Sequence, residues 1–502
     1  MVAWAVESAP FDRRELLWRG AAAAAIVAGL DLDVAEARLP AAAVRRLDAA
    51  VRGPVAVPGR AAYARARRVY QLAGPLPRPL AVVQVRDTAD AQALMRWAAR
   101  EDVALVARSG GHSYIRQSGG TGAVVADLSR LRAVRLDRGA GEVEVGGGVQ
   151  LIDLNRALAA RGALVPSGSC PSVGIGGVTL GGGMGLSGRR LGLTCDRLVA
   201  ATIVTPDGRR RRVDARSDGD LFWALRGGGG SFGVVTSLRF RVQRAPRAAW
   251  AFMRIPWARA ADALARWLLL APAAPRALTS ILTLAAGAPP GVTVIAQHFG
   301  PEAELRRLLA PLARIDGARL STGVDGLLAL ARRWAGCLDG PPAACHTRGT
   351  RPGGTLERAA FAASSIYLGK RLDDAGRRAL LRRVAGRGRG SGSVILDAYG
   401  GAINAVDAHA TAFVHRDALA SAQIISYHAP GAGAGAGARA WVTGTRSALA
   451  RAGAHGAYSN YADPTLDDPA REYWGANRTR LREIKRRVDP DRRIVFPQAA
   501  GL

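Results

Sequence analysis

The sequence predicts an α+β fold built from two packed units. The chain has 502 residues, of which 49% are hydrophobic, so it exceeds the size at which one core usually keeps growing. Strands over residues 80–85 and 103–107 flank an amphipathic helix over residues 88–100, which is a β-α-β opening. From residue 123 to about residue 242, short β-branched runs alternate with glycine clusters and short helices. This alternation indicates the α+β class.

Glycine and proline mark the predicted domain boundaries. The segment Gly74-Pro75-Leu76-Pro77 ends an Arg-rich helical stretch, so we expect a first domain over residues 75–245. Apolar strands and Arg-rich helices, such as residues 292–297 and 302–312, predict a second domain over residues 246–450. The Gly/Ala alternation of residues 431–438 predicts a flexible surface loop. A C-terminal segment over residues 455–500 contains a helix at residues 471–487.

The N-terminus predicts an export signal over residues 1–37. Arg13-Arg14 precedes a charge-free apolar run over residues 20–30, which is too short to span a bilayer. This order is similar to a twin-arginine signal, and Ala35-Glu36-Ala37 offers a cleavage site. An Ala-rich first helix is the alternative interpretation. The expectation is a secreted protein without stable membrane insertion.

The charge of +30 would ordinarily indicate an anionic partner. However, Lys370 and Lys485 are the only lysines, and arginine and alanine are abundant throughout the chain. This is a bias of composition rather than a concentrated binding stripe. We therefore expect no nucleic-acid partner, and we expect a monomer.

The four cysteines are too few for a disulfide scaffold in so long a chain. No CxxC pair occurs and the histidines are scattered, so no metal site is expected. Cys337 and Cys345 flank a turn-forming stretch that could bring their sulfurs together, which makes them a disulfide candidate.

Two glycine-rich segments carry the candidate chemistry. The first, RSGGHSY over residues 108–114, directly follows a predicted strand, and its backbone N–H groups can converge on a diphosphate. The second covers residues 168–177 and 181–185 and allows close backbone approach to a flat ligand. Taken alone, Cys170 in this second segment is more typical of a small core residue.

Two generic motifs occur in the sequence, but neither has the neighbouring secondary structure that its function requires. Residues 183–188 fit the dinucleotide pattern GxGxxG, but glycines rather than a strand precede them, so we reject a nicotinamide site. Residues 229–233 fit the hydrolase pattern GxSxG around Ser231, but a helix precedes this serine and a strand follows it. A secreted serine hydrolase therefore stays only as an alternative from a different class.

In combination, these segments resemble the berberine-bridge-enzyme-like FAD-linked oxidases. The resemblance runs from about residue 79 to the C-terminus. Its landmarks are RSGGHSY at residues 108–114, GSCPSVGIGG at 168–177, LTCD at 193–196, PDG at 206–208, DLFWALRGGGG at 220–230, YGGAIN at 399–404, TAFVHR at 411–416, YSNYAD at 458–463, YWGAN at 473–477 and FPQ at 496–498.

The resemblance implies a vanillyl-alcohol-oxidase-like FAD-binding domain, a substrate domain, and a C-terminal segment that returns to the FAD domain. It also implies a doubly attached FAD, in which His112 binds the 8-methyl carbon and Cys170 binds C6. The other residues expected around the cofactor are Arg108, Ser109, Gly110, Gly111, Ser113, Tyr114, Val173, Gly174, Gly176, Gly177, Gly181, Gly182, Asn460 and Tyr461.

The resemblance further places Tyr458 beside the flavin as a candidate general base. A free tyrosine is too weak an acid for this role at neutral pH, so a cationic or hydrogen-bonded neighbour must lower its pKa. The alternative is that Tyr458 only packs against the ring. Gln423 is a weaker candidate for contact with the substrate.

The resemblance places Val173 at the position where a small side chain leaves space for O2 above the flavin and a leucine blocks it, which favours an oxidase over a dehydrogenase. The expected reaction moves a hydride from an alcohol, sugar or natural-product hydroxyl to FAD and then to O2, giving hydrogen peroxide. Oxidative C–C or C–N bond formation stays open as the alternative, and the sequence does not identify the substrate.

Overall fold

The computed structural model describes residues 38–431, 433–496 and 498. Its irregular succession of helices and strands confirms the α+β class. Among these residues, no helix combines the length and the apolar character that a membrane span requires. The predicted export signal lies outside the described residues and stays a prediction.

A four-stranded sheet opens the first unit. Its strands are β1 Val55–Ala56, β2 Ala81–Gln84, β3 Leu105–Arg108 and β4 Val124–Asp127. The order is β1-β2-β4-β3, in which β4 runs parallel to both β2 and β3, and β1 is antiparallel. Helix Thr88–Arg100 connects β2 to β3 as predicted, and the Asp87 carboxylate caps its N-terminus.

The first unit begins ahead of the boundary predicted at residue 75. Strand β1 pairs with β2, and helix Ala41–Ala50 buries Leu47 against Trp97 of the crossover helix. The Gly/Pro-rich segment is therefore an internal loop of this unit, although its composition is typical of a linker.

An antiparallel sheet of five strands follows. It contains β5 Val134–Asp137, β6 Glu142–Gly146, β8 Leu198–Val204, β9 Arg210–Asp214 and β10 Val234–Arg241, in the order β5-β6-β10-β8-β9. The short strands β7 Ala163–Leu164 and β11 Gln243–Arg244 pair with each other. The helices of this region are Leu151–Ala159, Ile175–Leu180, Gly188–Leu191 and Gly219–Ala224.

The second unit is a seven-stranded antiparallel sheet. Its strands are β12 Ala248–Ile255, β13 Leu278–Ala285, β14 Gly291–His298, β15 Arg319–Asp325, β16 Ala360–Leu368, β17 Ser393–Ala398 and β18 Ala420–His428. Their order is β15-β12-β14-β13-β17-β18-β16. One hydrophobic core joins this sheet to the helices Ala260–Ala273, Glu302–Ala313, Asp374–Ala385 and Ala436–Arg451.

Two predicted elements of the C-terminal half differ from the structure. The prediction of a loop over residues 431–438 is wrong for its last three residues, because a helix begins at Ala436. Alanine favours helix at this position. The single helix predicted at residues 471–487 is two helices, Pro469–Trp474 and Arg478–Val488. The break lies at Gly475, whose φ of +49° lies in the left-handed region that glycine adopts without strain.

The C-terminal segment returns to the first unit, as the resemblance implied. Ile494 forms a parallel bridge to Leu105 of β3. The Trp474 indole donates to the Gly227 carbonyl at 2.9 Å, and the Lys485 ammonium donates to the Ser231 carbonyl at 2.6 Å. These contacts bring the tail beside the glycine-rich turn of residues 227–231.

A disulfide joins Cys337 to Cys345, which are 8 residues apart. Replacing both with alanine should lower the free energy of unfolding by about 2–3 kcal/mol, because the unfolded chain regains the entropy of an open loop. Chemical denaturation of both proteins, with and without a thiol reductant, tests this. The reductant should destabilise the wild type but not the variant, and equal stability of all four samples would contradict the prediction.

Candidate active site

A cavity of about 510 Å³ lies between the first unit and the seven-stranded sheet. Loops of the first unit form one side, while Ile281, Phe361 and Asp397 of the sheet and Trp334 of helix Leu327–Trp334 contribute to the other. The predicted site residues in its wall are Ser109, Gly110, Gly111, His112, Ser113, Tyr114, Cys170, Val173, Gly174, Gly176, Gly177, Gly181, Tyr458, Asn460 and Tyr461. The structure therefore brings most of the predicted site together.

Arg108, Gly182 and Gln423 lie behind the wall. Arg108 forms a buried ion pair with Asp127 at 2.7 Å and so joins the ends of β3 and β4 beneath the first glycine-rich loop. Gly182 packs against the rings of Phe413 and Tyr458. These residues support the cavity rather than line it.

The loop after β3 presents free backbone donors. No backbone N–H of residues 109–115 donates to another described residue. The Ser109 hydroxyl donates to the Gly147 carbonyl at 2.5 Å, which fixes the loop to the end of β6. Gly111 has a φ of +72°, a conformation that favours glycine. Successive unpaired N–H groups at a cavity wall fit the diphosphate of FAD.

The second glycine-rich segment packs directly on this loop. A Cβ added to Gly110 would lie 2.2 Å from the Gly174 nitrogen, so the contact needs glycine. At Gly177 the wall is bare, because an added Cβ would meet nothing within 4 Å. A wall without side chains fits close approach of a large flat group such as the FAD ring system.

His112 stacks on Tyr70 and bonds to Ser172. The ring centroids of His112 and Tyr70 are 4.1 Å apart, and the histidine Nε2 lies 2.9 Å from the Ser172 Oγ. Burial, with a smaller contribution from the nearby Arg358 charge, lowers the pKa of His112 to about 3. The imidazole is therefore neutral at ordinary pH, the form in which it is a nucleophile.

Cys170 is a free thiol that is exposed to the cavity. The surrounding protein nevertheless raises the pKa of the thiol by removing water from it. Because the side chain is exposed to the cavity, a ligand can reach the sulfur. The raised pKa means that the sulfur is a protonated thiol, and not a thiolate, before a ligand binds.

Tyr458 is buried with its oxygen fully engaged. The hydroxyl accepts hydrogen bonds from the backbone N–H of Gly183 at 2.8 Å and of Met184 at 3.3 Å, and from the Asn460 amide at 2.9 Å. Burial outweighs these bonds and raises the pKa of Tyr458 to about 12. A role as general base required a neighbour that lowers the pKa of Tyr458. The neighbours in the structure are neutral hydrogen-bond donors, and they do not lower this pKa below its usual value.

Tyr114 and Tyr461 form a second aromatic pair at the cavity. Their rings stack with centroids 5.3 Å apart, and the Gln423 amide donates to the Tyr114 hydroxyl at 2.7 Å. Gln423 therefore orients an aromatic wall residue from behind.

Sequence reasoning missed Asp397, an acidic residue in the wall near the end of β17. Burial raises the pKa of Asp397 to about 7, and its charge contributes to the raised pKa of Tyr461. Burial alone shifts this pKa, without a contribution from a hydrogen bond to another described residue, so the carboxylate in the cavity wall is available to a ligand. A lone aspartate in the apolar run Val394-Ile395-Leu396 was the signal that could have found it.

The hydrolase alternative finds no support at Ser231. Helix Gly219–Ala224 precedes this serine and β10 follows it, which is the reverse of a nucleophile elbow. Its hydroxyl is buried and has no hydrogen-bond partner among the described residues, so no base activates it there.

Two family models match the chain. The model described as "FAD binding domain" matches residues 79–214. The model described as "Berberine and berberine like" matches residues 457–499. The first match includes both glycine-rich segments, and the second includes Tyr458, Asn460 and Tyr461.

Several known proteins are similar to this chain over most of their length. The uncharacterized FAD-linked oxidoreductase YvdP of Bacillus subtilis is 30% identical over 439 residues, which cover 84% of this chain and 92% of that protein. A chitooligosaccharide oxidase of Gibberella zeae is 29% identical over 441 residues, which cover 84% and 87%. A structure of glucooligosaccharide oxidase from Acremonium strictum, an enzyme with a 6-S-cysteinyl, 8α-N1-histidyl FAD, matches with a TM-score of 0.80 at 25% identity, over 91% and 98% of the two chains.

Proposed function

Because this chain belongs to the berberine-bridge-enzyme-like family of FAD-linked oxidases, we propose that it oxidises the reducing-end hydroxyl of an oligosaccharide to a lactone. The observation that carries the proposal is the position of Asp397. This carboxylate, with a pKa of about 7, lines the same cavity as the loops that fit FAD. Relatives named as chitooligosaccharide and xylooligosaccharide oxidases support the substrate class.

When bound, FAD accepts a hydride from a carbinol carbon and passes the electron pair to O2. The backbone N–H groups of residues 109–115 would hold its diphosphate. His112 and Cys170 would each form one covalent bond to its ring system, and the named double linkage of the Acremonium strictum enzyme supports this assignment. With both bonds in place, the cofactor does not depend on enclosure, which suits a site open to a long substrate.

Aromatic rings suit the sugar side of the cavity. Tyr427 is 48% exposed and lies edge-on to Phe361, with ring centroids 5.9 Å apart. The Trp334 indole is fixed by a hydrogen bond to Gln297 at 2.9 Å. Rigid rings with polar tips bind apolar sugar faces and leave the hydroxyl groups accessible to hydrogen bonds.

Asp397 is the group that can accept the hydroxyl proton of the substrate. A base is most effective when its pKa lies near the working pH, and the pKa of about 7 meets that condition while the pKa of about 12 at Tyr458 does not. The charge of Asp397 also acts on Tyr461, whose pKa it helps to raise.

A substrate panel tests this function. The purified holoenzyme is mixed in air with reducing cello-, chito- and xylo-oligosaccharides, with the same sugars reduced to alditols, and with small alcohols, and peroxide is measured. We expect peroxide from reducing sugars and little from the matched alditols, in which a primary alcohol replaces the anomeric hydroxyl. Activity on small alcohols alone would overturn the substrate class. If no hydroxyl substrate gave peroxide, oxidative C–C or C–N chemistry would be favoured instead.

The Val173→Leu variant tests the oxidase assignment. Val173 lines the cavity, and a longer side chain there is expected to slow reoxidation of the reduced enzyme by O2 severalfold while anaerobic reduction stays nearly unchanged. Stopped-flow absorbance measures both steps, and Val173→Ala is the matched control. Equal reoxidation rates in all three proteins would remove Val173 from control of oxygen access.

The Tyr458→Phe variant separates a base from a packing residue. Loss of the oxygen leaves the Gly183, Met184 and Asn460 donors without this acceptor, so we expect the free energy of unfolding to fall by about 1–3 kcal/mol. The pH dependence of flavin reduction should remain that of the wild type. Unchanged stability with a reduction rate about 10² lower would instead assign the base to Tyr458.

A further inference from the structure

Ser172 is a buried hydroxyl that the proposed function leaves without a role. It is 2% exposed, and its Oγ lies 2.9 Å from Nε2 of His112. His112 Nδ1 has no hydrogen-bond partner among the described residues. Of the two imidazole nitrogens, Nε2 therefore has a hydrogen-bond partner and Nδ1 has none among the described residues.

The backbone on both sides of Ser172 is fixed. The first N–H groups of helix Leu151–Ala159 donate to the carbonyls of Pro171 and Val173, each at 2.9 Å. Ser172 is therefore held from both sides on the end of a helix, two residues after Cys170. One anchored loop carries both the thiol and the partner of the histidine.

The plane of the imidazole is fixed separately. Tyr70 stacks on it with an interplanar angle of 21°, and the Tyr70 backbone N–H donates to the Gly111 carbonyl at 3.0 Å. With the plane fixed by stacking, the remaining freedom of the ring is a half-turn about its Cβ–Cγ bond, which exchanges the two edges of the imidazole. The bond from Nε2 to Ser172 selects one of these two orientations.

We propose that Ser172 is a positioning residue for flavin attachment: by holding Nε2 of His112, it leaves Nδ1 as the nitrogen that bonds the flavin 8-methyl carbon. This inference rests on the proposed function, because it requires that His112 is a site of attachment. The neutral imidazole keeps its proton on Nε2, which donates to the Ser172 oxygen, so the Nδ1 lone pair is free to react.

The attachment step balances with O2 as the oxidant. A C–N bond replaces one C–H bond of the 8-methyl group, and the methyl proton goes to solvent. The Nε2 proton leaves by way of the Ser172 hydroxyl as positive charge builds on the imidazole. The two electrons of the broken C–H bond remain on the flavin and pass to O2, which with the two protons gives hydrogen peroxide.

Peptide masses of the purified holoenzymes test the role of Ser172. Cleavage after arginine releases residues 109–116 with His112 and residues 162–189 with Cys170. In the wild type, one flavin should join the two peptides. In Ser172→Ala, the fraction of peptide 109–116 joined to flavin should fall about tenfold or more, the range for losing the partner that orients a reacting histidine, while the Cys170 bond persists.

Two further variants complete the test. Ser172→Thr keeps a hydroxyl and should restore the histidyl bond, and Ser169→Ala removes a neighbouring hydroxyl and should change neither bond. An unchanged histidyl fraction in Ser172→Ala, or loss of both bonds together, would overturn the proposal. Absence of flavin from both peptides of the wild type would instead refute the double attachment in the proposed function.

Discussion

Replacement of both His112 and Cys170 with alanine is expected to abolish covalent flavin attachment completely. His112 offers a neutral imidazole and Cys170 an accessible thiol, both at the wall of the cavity that fits FAD. The other cysteines are buried or joined in a disulfide, so no further thiol of the described chain can replace Cys170. We therefore expect His112 and Cys170 each to form one of the two covalent bonds to the flavin.

Acid precipitation measures this result directly. The pellet is washed and redissolved, and its visible spectrum is recorded. The wild type and each single variant should give a yellow pellet, because one remaining bond is sufficient to retain flavin. The double variant should give a colourless pellet, and a yellow one would show that the attachment residues lie elsewhere.

Asp397→Asn is expected to slow anaerobic flavin reduction by about 10² or more, the usual effect of removing a positioned base. Asparagine preserves the shape of the side chain but cannot accept the proton. Burial penalises a charge at this position, so the variant should not unfold more easily than the wild type above pH 7. Retained stability with a slow reduction step would separate chemistry from folding.

The pH dependence has a definite sign. A base acts only when it is deprotonated, and the pKa of Asp397 is raised to about 7, so the wild-type rate should rise with pH through about 7 and then level off. The Asp397→Asn variant should lose this rise. Stopped-flow absorbance under argon measures the profile, and a variant that keeps both the rate and the profile of the wild type would exclude Asp397 as the base.

Local parts of the fold could be predicted from the sequence. Helix Thr88–Arg100 and strand β10 follow from periodicity and from the polar or glycine residues at their ends. The order of the seven-stranded sheet could not, because β13 and β17 pair although three strands separate them in the chain, and the pattern of one strand does not identify its partner. Gly475 shows how a single backbone angle ends a helix that composition alone would continue.

The site residues likewise include some that could be predicted from the sequence and some that could not. His112 and Cys170 lie within motifs whose combination is informative, so their place at one cavity could be predicted. Asp397 carries a signal, since it is a lone aspartate in an apolar run, but that signal does not show that the residue lines the cavity. Ser172 could not be predicted, because it is an ordinary polar residue until packing places it beside His112. The predicted role of Tyr458 required a cationic or hydrogen-bonded neighbour, and only the structure shows that the neighbours are neutral hydrogen-bond donors.

Anaerobic mixing of the holoenzyme with a reducing oligosaccharide observes the reaction of the bound cofactor with a sugar hydroxyl. We expect the flavin absorbance to be lost on mixing and to return when O2 is admitted, with one peroxide and one lactone released in each cycle. A flavin that a chemical reductant bleaches but that every reducing oligosaccharide leaves oxidised would contradict this expectation.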